Sequence, residues 1–342
     1  MKPLLESRNL DIGYGGTSSK EAVYVARNLD LRLHSGQMVC LLGPNGAGKS
    51  TLIRTLCGIQ RPLGGSISLS NIPLETITPL ELARQMAVVL TDKVAVDYLA
   101  VQDLVALGRY PYTNWTGKLK EADWLIVDEM IRLLGLEKLK YREIADLSDG
   151  EKQKSMIARA LAQQPLMICL DEPTAFLDLP RKIELLSNLR KLSRETGRTF
   201  LLSIHDLELA LGSADLLWIL DGENHFYRGT PEDLVLDGCI SRVFDTSEVR
   251  FDESSGTFRR DRKGVERIQV LESTYRREGL WTIRALERIG FEPVKTSASL
   301  VVEIVQKEQK PNWNLKAGST SYEFFRLGEL IAHLESTHSL PS

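Results

Sequence analysis

The chain has 342 residues, 43% of them hydrophobic, and carries 43 lysines and arginines against 46 aspartates and glutamates, a formal net charge of −3. That length suits one large domain plus a smaller one, and the slight acidity argues against a general nucleic-acid binder, whose footprint is basic. No run approaches the roughly 20 apolar residues that span a bilayer, and the start is too poor in apolar residues for a signal peptide, so a soluble chain, or one held at a membrane by another protein, is expected.

Residues 4–40 alternate short apolar stretches with turn signals, such as Asp11-Ile12-Gly13-Tyr14-Gly15-Gly16 and His34-Ser35-Gly36-Gln37. Leu29-Asp30-Leu31-Arg32-Leu33 has the period of two of a half-buried strand. The region reads as an antiparallel β layer. It leads into the apolar run Met38-Val39-Cys40-Leu41-Leu42, then Gly43-Pro44-Asn45-Gly46-Ala47-Gly48-Lys49-Ser50-Thr51, then Leu52-Ile53-Arg54-Thr55-Leu56, whose pattern fits a helix. Strand, loop and helix in that order are the setting a phosphate-binding loop needs. The glycines let the backbone curl until successive N–H groups point at one anion, and the helix adds its positive end. Lys49 would reach the β- and γ-phosphates, and the Ser50 hydroxyl would help hold Mg2+. A nucleoside triphosphate is the expected ligand.

Gly64-Gly65-Ser66-Ile67-Ser68-Leu69 reads as another turn and strand. From about 79 to 164 the texture is helical, over 80–86, 101–107, 121–134 and 150–163, which predicts a helical subdomain before the next core strand. Leu166-Met167-Ile168-Cys169-Leu170 and Thr199-Phe200-Leu201-Leu202-Ser203-Ile204 fit parallel strands buried on both faces, with a crossover helix over 180–195. Leu216-Leu217-Trp218-Ile219-Leu220 is a further strand. A charged stretch over 248–264 marks a boundary, which gives domains of 1–261 and 262–342. The second reads as a small α+β unit, with strands over 265–270 and 300–305 and helices over 281–289 and 327–334. Trp281, Trp313 and Phe324-Phe325 read as its core. Cys40, Cys57, Cys169 and Cys239 lack ligand spacing, so free thiols are expected, and no disulfide or zinc framework.

The strand ending at Leu170 delivers Asp171-Glu172 to the sheet edge where the phosphate-binding loop also lies. Asp171 can hold Mg2+ through a water, and Glu172 can polarise an attacking water. Upstream stands Leu147-Ser148-Asp149-Gly150-Glu151, where Ser148 and Gly150 open a helix whose N-terminus, with a hydroxyl, is an anion site. With these pieces the chain resembles the ATPase subunit of an ABC transporter over roughly residues 4–260, the pentapeptide being similar to the family's LSGGQ motif. The resemblance implies an α/β P-loop NTPase core with an antiparallel β layer and an inserted helical subdomain, and ATP and Mg2+ as cofactors. It also implies a homodimer. Each ATP would lie between residues 43–51 of one copy and Ser148, Asp149, Gly150 and Glu151 of the other.

Further positions carry over singly. Tyr14 resembles the aromatic that stacks on adenine. Ala175-Phe176-Leu177-Asp178 resembles the loop through which the subunits sense each other, with Asp178 its acidic residue. His205 resembles the switch histidine at the γ-phosphate. Two departures stand out. Thr91 aligns with a glutamine that usually helps ligate Mg2+, and Asp92 is expected to supply that oxygen instead. Asp149 and Glu151 replace Gly and Gln, adding negative charge beside the γ-phosphate. Val101-Gln102-Asp103-Leu104-Val105-Ala106-Leu107-Gly108-Arg109-Tyr110-Pro111-Tyr112 is similar to a segment of the ATPases of iron-siderophore, haem and cobalamin importers. That resemblance implies membrane permease subunits contacted near Arg109 and Tyr110, a substrate-binding protein outside the membrane, and a place on its cytoplasmic face. An ABC ATPase for another cargo, a soluble ABC ATPase without a transporter, and a nucleotide-binding module without turnover are the competing readings.

Overall fold

The alternating start of the chain becomes a sheet built around its first strand. The computed structural model describes residues 2–15, 22–90, 98–260, 266–271, 276–307 and 310–337. Strands β1 (Leu5–Tyr14), β2 (Val23–Leu29) and β3 (Arg32–Leu33) precede β4 (Met38–Leu42), helix α1 (Lys49–Leu56), and the pair β5 (Gly64–Leu69) and β6 (Ile72–Pro73). β1 takes β2, β3 and β5 as antiparallel neighbours. The single strand expected over 29–33 is split in two. Ser7 Oγ donates to the Leu29 carbonyl at 2.9 Å and accepts from the Leu31 N–H at 3.1 Å, so a side chain takes the backbone groups a continuous ladder would use.

Next come α2 (Pro79–Gln85), β7 (Met86–Val89), α3 (Val101–Ala106), α4 (Glu121–Leu133), α5 (Asp149–Ala162), β8 (Met167–Asp171), α6 (Leu179–Thr196), β9 (Thr199–Ser203), α7 (Leu207–Ser213), β10 (Leu216–Leu220), β11 (Phe226–Gly229), α8 (Pro231–Leu236) and α9 (Cys239–Phe244). Six of the strands form a second sheet in the order β11-β10-β4-β9-β8-β7, parallel except for β11. Every residue of β4, β8 and β9 is buried, which is why these strands read as unbroken apolar runs. One face of the sheet (Met38, Cys40, Ile168, Phe200) shares an apolar cluster with Val101, Val127 and Ile157 of α3, α4 and α5. The other face (Val39, Leu41, Cys169, Leu201) packs on α1 and the antiparallel layer. The register matters for function. Ser203 lies level with Leu41 on one side and with Asp171 on the other, so three strands end together at one edge.

By contact density the chain divides into Met1–Asp245 with Phe251–Phe258, and Thr246–Arg250 with Arg259–Ser342. The hairpin of β12 (Val249–Asp252) and β13 (Thr257–Arg260) crosses that division. The second unit contains β14 (Arg267–Leu271), α10 (Arg276–Ile289), β15 (Glu292–Val294), β16 (Leu300–Lys307), β17 (Lys310–Ala317), β18 (Thr320–Phe324) and α11 (Leu327–Thr337). Its sheet runs β15-β14-β16-β17-β18. Ile268, Val302, Ile304, Leu286, Leu330 and Trp313 make the core. The expected core is corrected in two places, because Trp281 is 54% and Phe325 68% exposed. Trp281 lies on the outer side of α10 with Arg284 over its ring. Among the described residues no helix is long and apolar enough to cross a membrane.

Candidate nucleotide site

β4 enters fully buried, and residues 43–48 turn the chain into α1. Position 48 requires glycine: its φ is +97°, and a Cβ there would lie 1.9 Å from Val25 Cγ1. Gly48 brings no side chain to cap α1, so the first backbone N–H groups stand at the helix's positive end for an anion to take. A Cβ placed on Gly46 would meet nothing within 4 Å, so the outer side of the loop is open. Lys49 is 6% exposed, and its Nζ donates to the carbonyls of Gly43 at 2.9 Å and Pro44 at 3.1 Å. Burial pulls the lysine's pKa down while the carboxylates of Glu172 and Asp171 push it up, with burial prevailing. Ser50 is partly buried in the first turn. Tyr14, 56% exposed, reaches back from the end of β1 to set its hydroxyl 3.0 Å from Thr51 Oγ1.

The Asp171 carboxylate and the Glu172 backbone are held by a residue that sequence reasoning did not single out. Ser203, fully buried at the end of β9, donates its hydroxyl to Asp171 Oδ1 at 2.5 Å and accepts the Glu172 N–H at 2.8 Å. Its signal was present: a lone serine closing an otherwise apolar strand two residues before His205. Glu172 has a φ of +51°, a conformation costly for a residue with a Cβ and typical of functional turns. Its Oε1 lies 2.5 Å from His205 Nε2. Lys49, Asp171, Glu172 and His205 thus meet at one sheet edge, with both carboxylates and the Ser50 hydroxyl offering the oxygen donors that Mg2+ takes.

The residues 148–151 form a separate cluster. Ser148 is the N-cap of α5 in a reciprocal box with Glu151. The Glu151 Oε2 accepts from the Ser148 N–H at 2.8 Å and from its hydroxyl at 2.7 Å. These bonds from Ser148 outweigh partial burial, and with Arg142 and Arg181 nearby they hold the Glu151 carboxyl below the usual range. Asp149 is exposed. Gly150 leaves little room for a side chain, since a Cβ would come 3.0 Å from Leu177 Cδ2 and 3.2 Å from the Phe176 carbonyl. The loop after Glu172 therefore packs against this helix start. Asp178 closes that loop as the N-cap of α6, accepting the Arg181 N–H at 3.0 Å. Among the described residues no hydrogen bond or ion pair joins 148–151 to 43–51.

Two expectations need restating. Arg109 is not offered to a partner, being 5% exposed. Its guanidinium pairs with Asp123 at 2.9 Å and donates to the Ala162 carbonyl at 2.8 Å, so it ties α4 to the end of α5. Its neighbour Tyr110 is 70% exposed. Thr91 and Asp92 lie outside the described residues.

Residues 26–175 match the family model of the ABC transporter, and residues 276–335 match that of the iron ABC transporter C-terminal domain. The chain is 38% identical over 255 residues to an uncharacterized ABC transporter ATP-binding protein of Methanocaldococcus jannaschii, covering 75% of this chain and 86% of that one. It is similar to a solved metal-chelate type ABC transporter in an inward-facing conformation (TM-score 0.61, 26% identity, 76% of this chain and 96% of that one). It is also similar to a bacterial ABC transporter cassette solved as a dimer (TM-score 0.59, 25% identity, 66% of this chain and 98% of that one). The chain belongs to the ATP-binding proteins of ABC transporters.

Proposed function

We propose that this ABC ATPase powers uptake of an iron or other metal chelate, working as two copies on the cytoplasmic face of a membrane beside separate permease subunits. The observation that carries the reading is the meeting of Lys49, Asp171, Glu172 and His205 beside an uncapped helix N-terminus. To take the phosphates of ATP, Lys49 exchanges the Gly43 and Pro44 carbonyls for phosphate oxygens, and the N–H groups opening α1 complete the cradle. Ser50 and Asp171 would hold Mg2+, which would supply positive charge against the terminal phosphates. Glu172, steadied by Ser203 and His205, accepts a proton from the attacking water. Tyr14 is exposed beside Thr51 and offers a face to the base.

The residues 148–151 would complete the same site on a second copy. Support comes from the cassette solved as a dimer and from the described residues, in which no hydrogen bond or ion pair joins 148–151 to 43–51. The metal-chelate cargo is supported by the second family match and by the metal-chelate type transporter. A phosphate-release assay with ATP and Mg2+ tests the catalytic half. Glu172→Gln is expected to keep nucleotide binding and to lose about 100-fold or more in turnover; unchanged turnover would remove Glu172 from its role. For the transport half, the tagged chain is recovered from native membranes in mild detergent. A polytopic membrane protein in equal amount is expected, and a chain that stays soluble without one would leave an ATPase and no transporter.

A further inference from the structure

We infer that Glu151 restrains the ATP-driven pairing of this protein by holding the Ser148 hydroxyl that the partner copy's γ-phosphate must claim. The inference rests on the reading above that Ser148 serves a phosphate bound by another copy. In the chain by itself, one carboxylate oxygen takes both Ser148 donors, at 2.8 Å for the N–H and 2.7 Å for the hydroxyl. Hydrogen bonds to an ionised acceptor are the stronger kind. Pairing therefore has to break a charge-assisted bond before Ser148 can donate to phosphate, and it brings an anion to within one helical turn of a carboxylate. Arg142 and Arg181 are the cations that face Glu151. The Ser148 bonds above all, with these two cations adding to them, hold its carboxyl below the usual range, so the restraint does not relax near neutral pH. Asp149, exposed at the first position of α5, adds a second negative charge to the first turn of the helix.

A purely structural role is separable, because Gln at this position caps a helix as Glu does. Glu151→Gln keeps the capping box and removes the charge; Glu151→Ala removes both. The half-saturating ATP concentration for turnover is measured for the parent, for both variants and for Ser148→Ala. In parallel, the mass of the ATP-bound particle is followed for Glu172→Gln with and without Glu151→Gln. Glu151→Gln is expected to lower the half-saturating concentration roughly three- to fivefold, the scale of one exposed charge interaction, with the dimer forming at less ATP. If Ser148→Ala abolishes turnover while Glu151→Gln leaves the ATP dependence unmoved, the restraint is wrong and the shared site stands. If Ser148→Ala turns over like the parent, the shared site itself fails.

Discussion

Ser203 is a single hydroxyl that holds the Asp171 carboxylate and the Glu172 backbone. Without it, the buried Asp171 Oδ1 and the Glu172 N–H each lose a partner. Ser203→Ala is expected to cost about 1–3 kcal/mol of stability, the price of unsatisfied buried groups, and to slow turnover more than it weakens ATP binding. Denaturant titration and phosphate release check the two parts. Gly48 makes the complementary point. Gly48→Ala sets a Cβ against Val25 in a left-handed backbone, so a loss of about 1–3 kcal/mol and of nucleotide affinity is expected, read from thermal unfolding and a binding isotherm. The need for glycine in the loop was legible in the sequence. Ser203 was less so, because its two partners come together only when β8 and β9 pair in register.

At the scale of elements, the helical insert is held by a buried ion pair. Burial alone would raise the Asp123 carboxyl, but the Lys120 N–H and the Arg109 guanidinium outweigh it and hold the pKa below the ordinary value. A carboxyl depressed in the fold stabilises it at pH above its unfolded pKa of about 3.9. That contribution is lost as pH falls through the lower, folded value. Arg109→Ala leaves Asp123 buried and unpaired, so a loss of about 3–5 kcal/mol is expected at neutral pH, and the acid dependence due to Asp123 should weaken with it. Arg109→Lys should recover little, since a lysine cannot serve Asp123 and the Ala162 carbonyl together. Equilibrium unfolding at pH 7 and below pH 4 checks both. The helices α3, α4 and α5 were readable from their apolar spacing. The burial of Arg109 was not, because its acceptors lie on other helices, 14 and 53 residues away. β17 hid for a related reason: it opens at a lysine and a proline, and only Trp313 and Leu315 of its middle face the core.

At the scale of the molecule, the sequence yielded the buried strands of the parallel core and the phosphate-binding loop because both are written in contiguous residues. What it could not supply is how 43–51 and 148–151 are placed relative to each other, since no hydrogen bond or ion pair within the described residues of one chain joins them. Removing residues 259–342 keeps Phe251–Phe258 with the first unit and is expected to leave a folded chain that still hydrolyses ATP; loss of turnover in a folded truncation would tie the second unit to the chemistry. Hydrolysis of ATP between two copies is tested by mixing two inactive variants. Lys49→Ala and Ser148→Ala are assayed for phosphate release singly and together. Each alone is expected to be inactive and the mixture to regain activity, because mixed pairs contain one site with both residues intact. A mixture as inactive as its components, under conditions where the two chains pair, would contradict it.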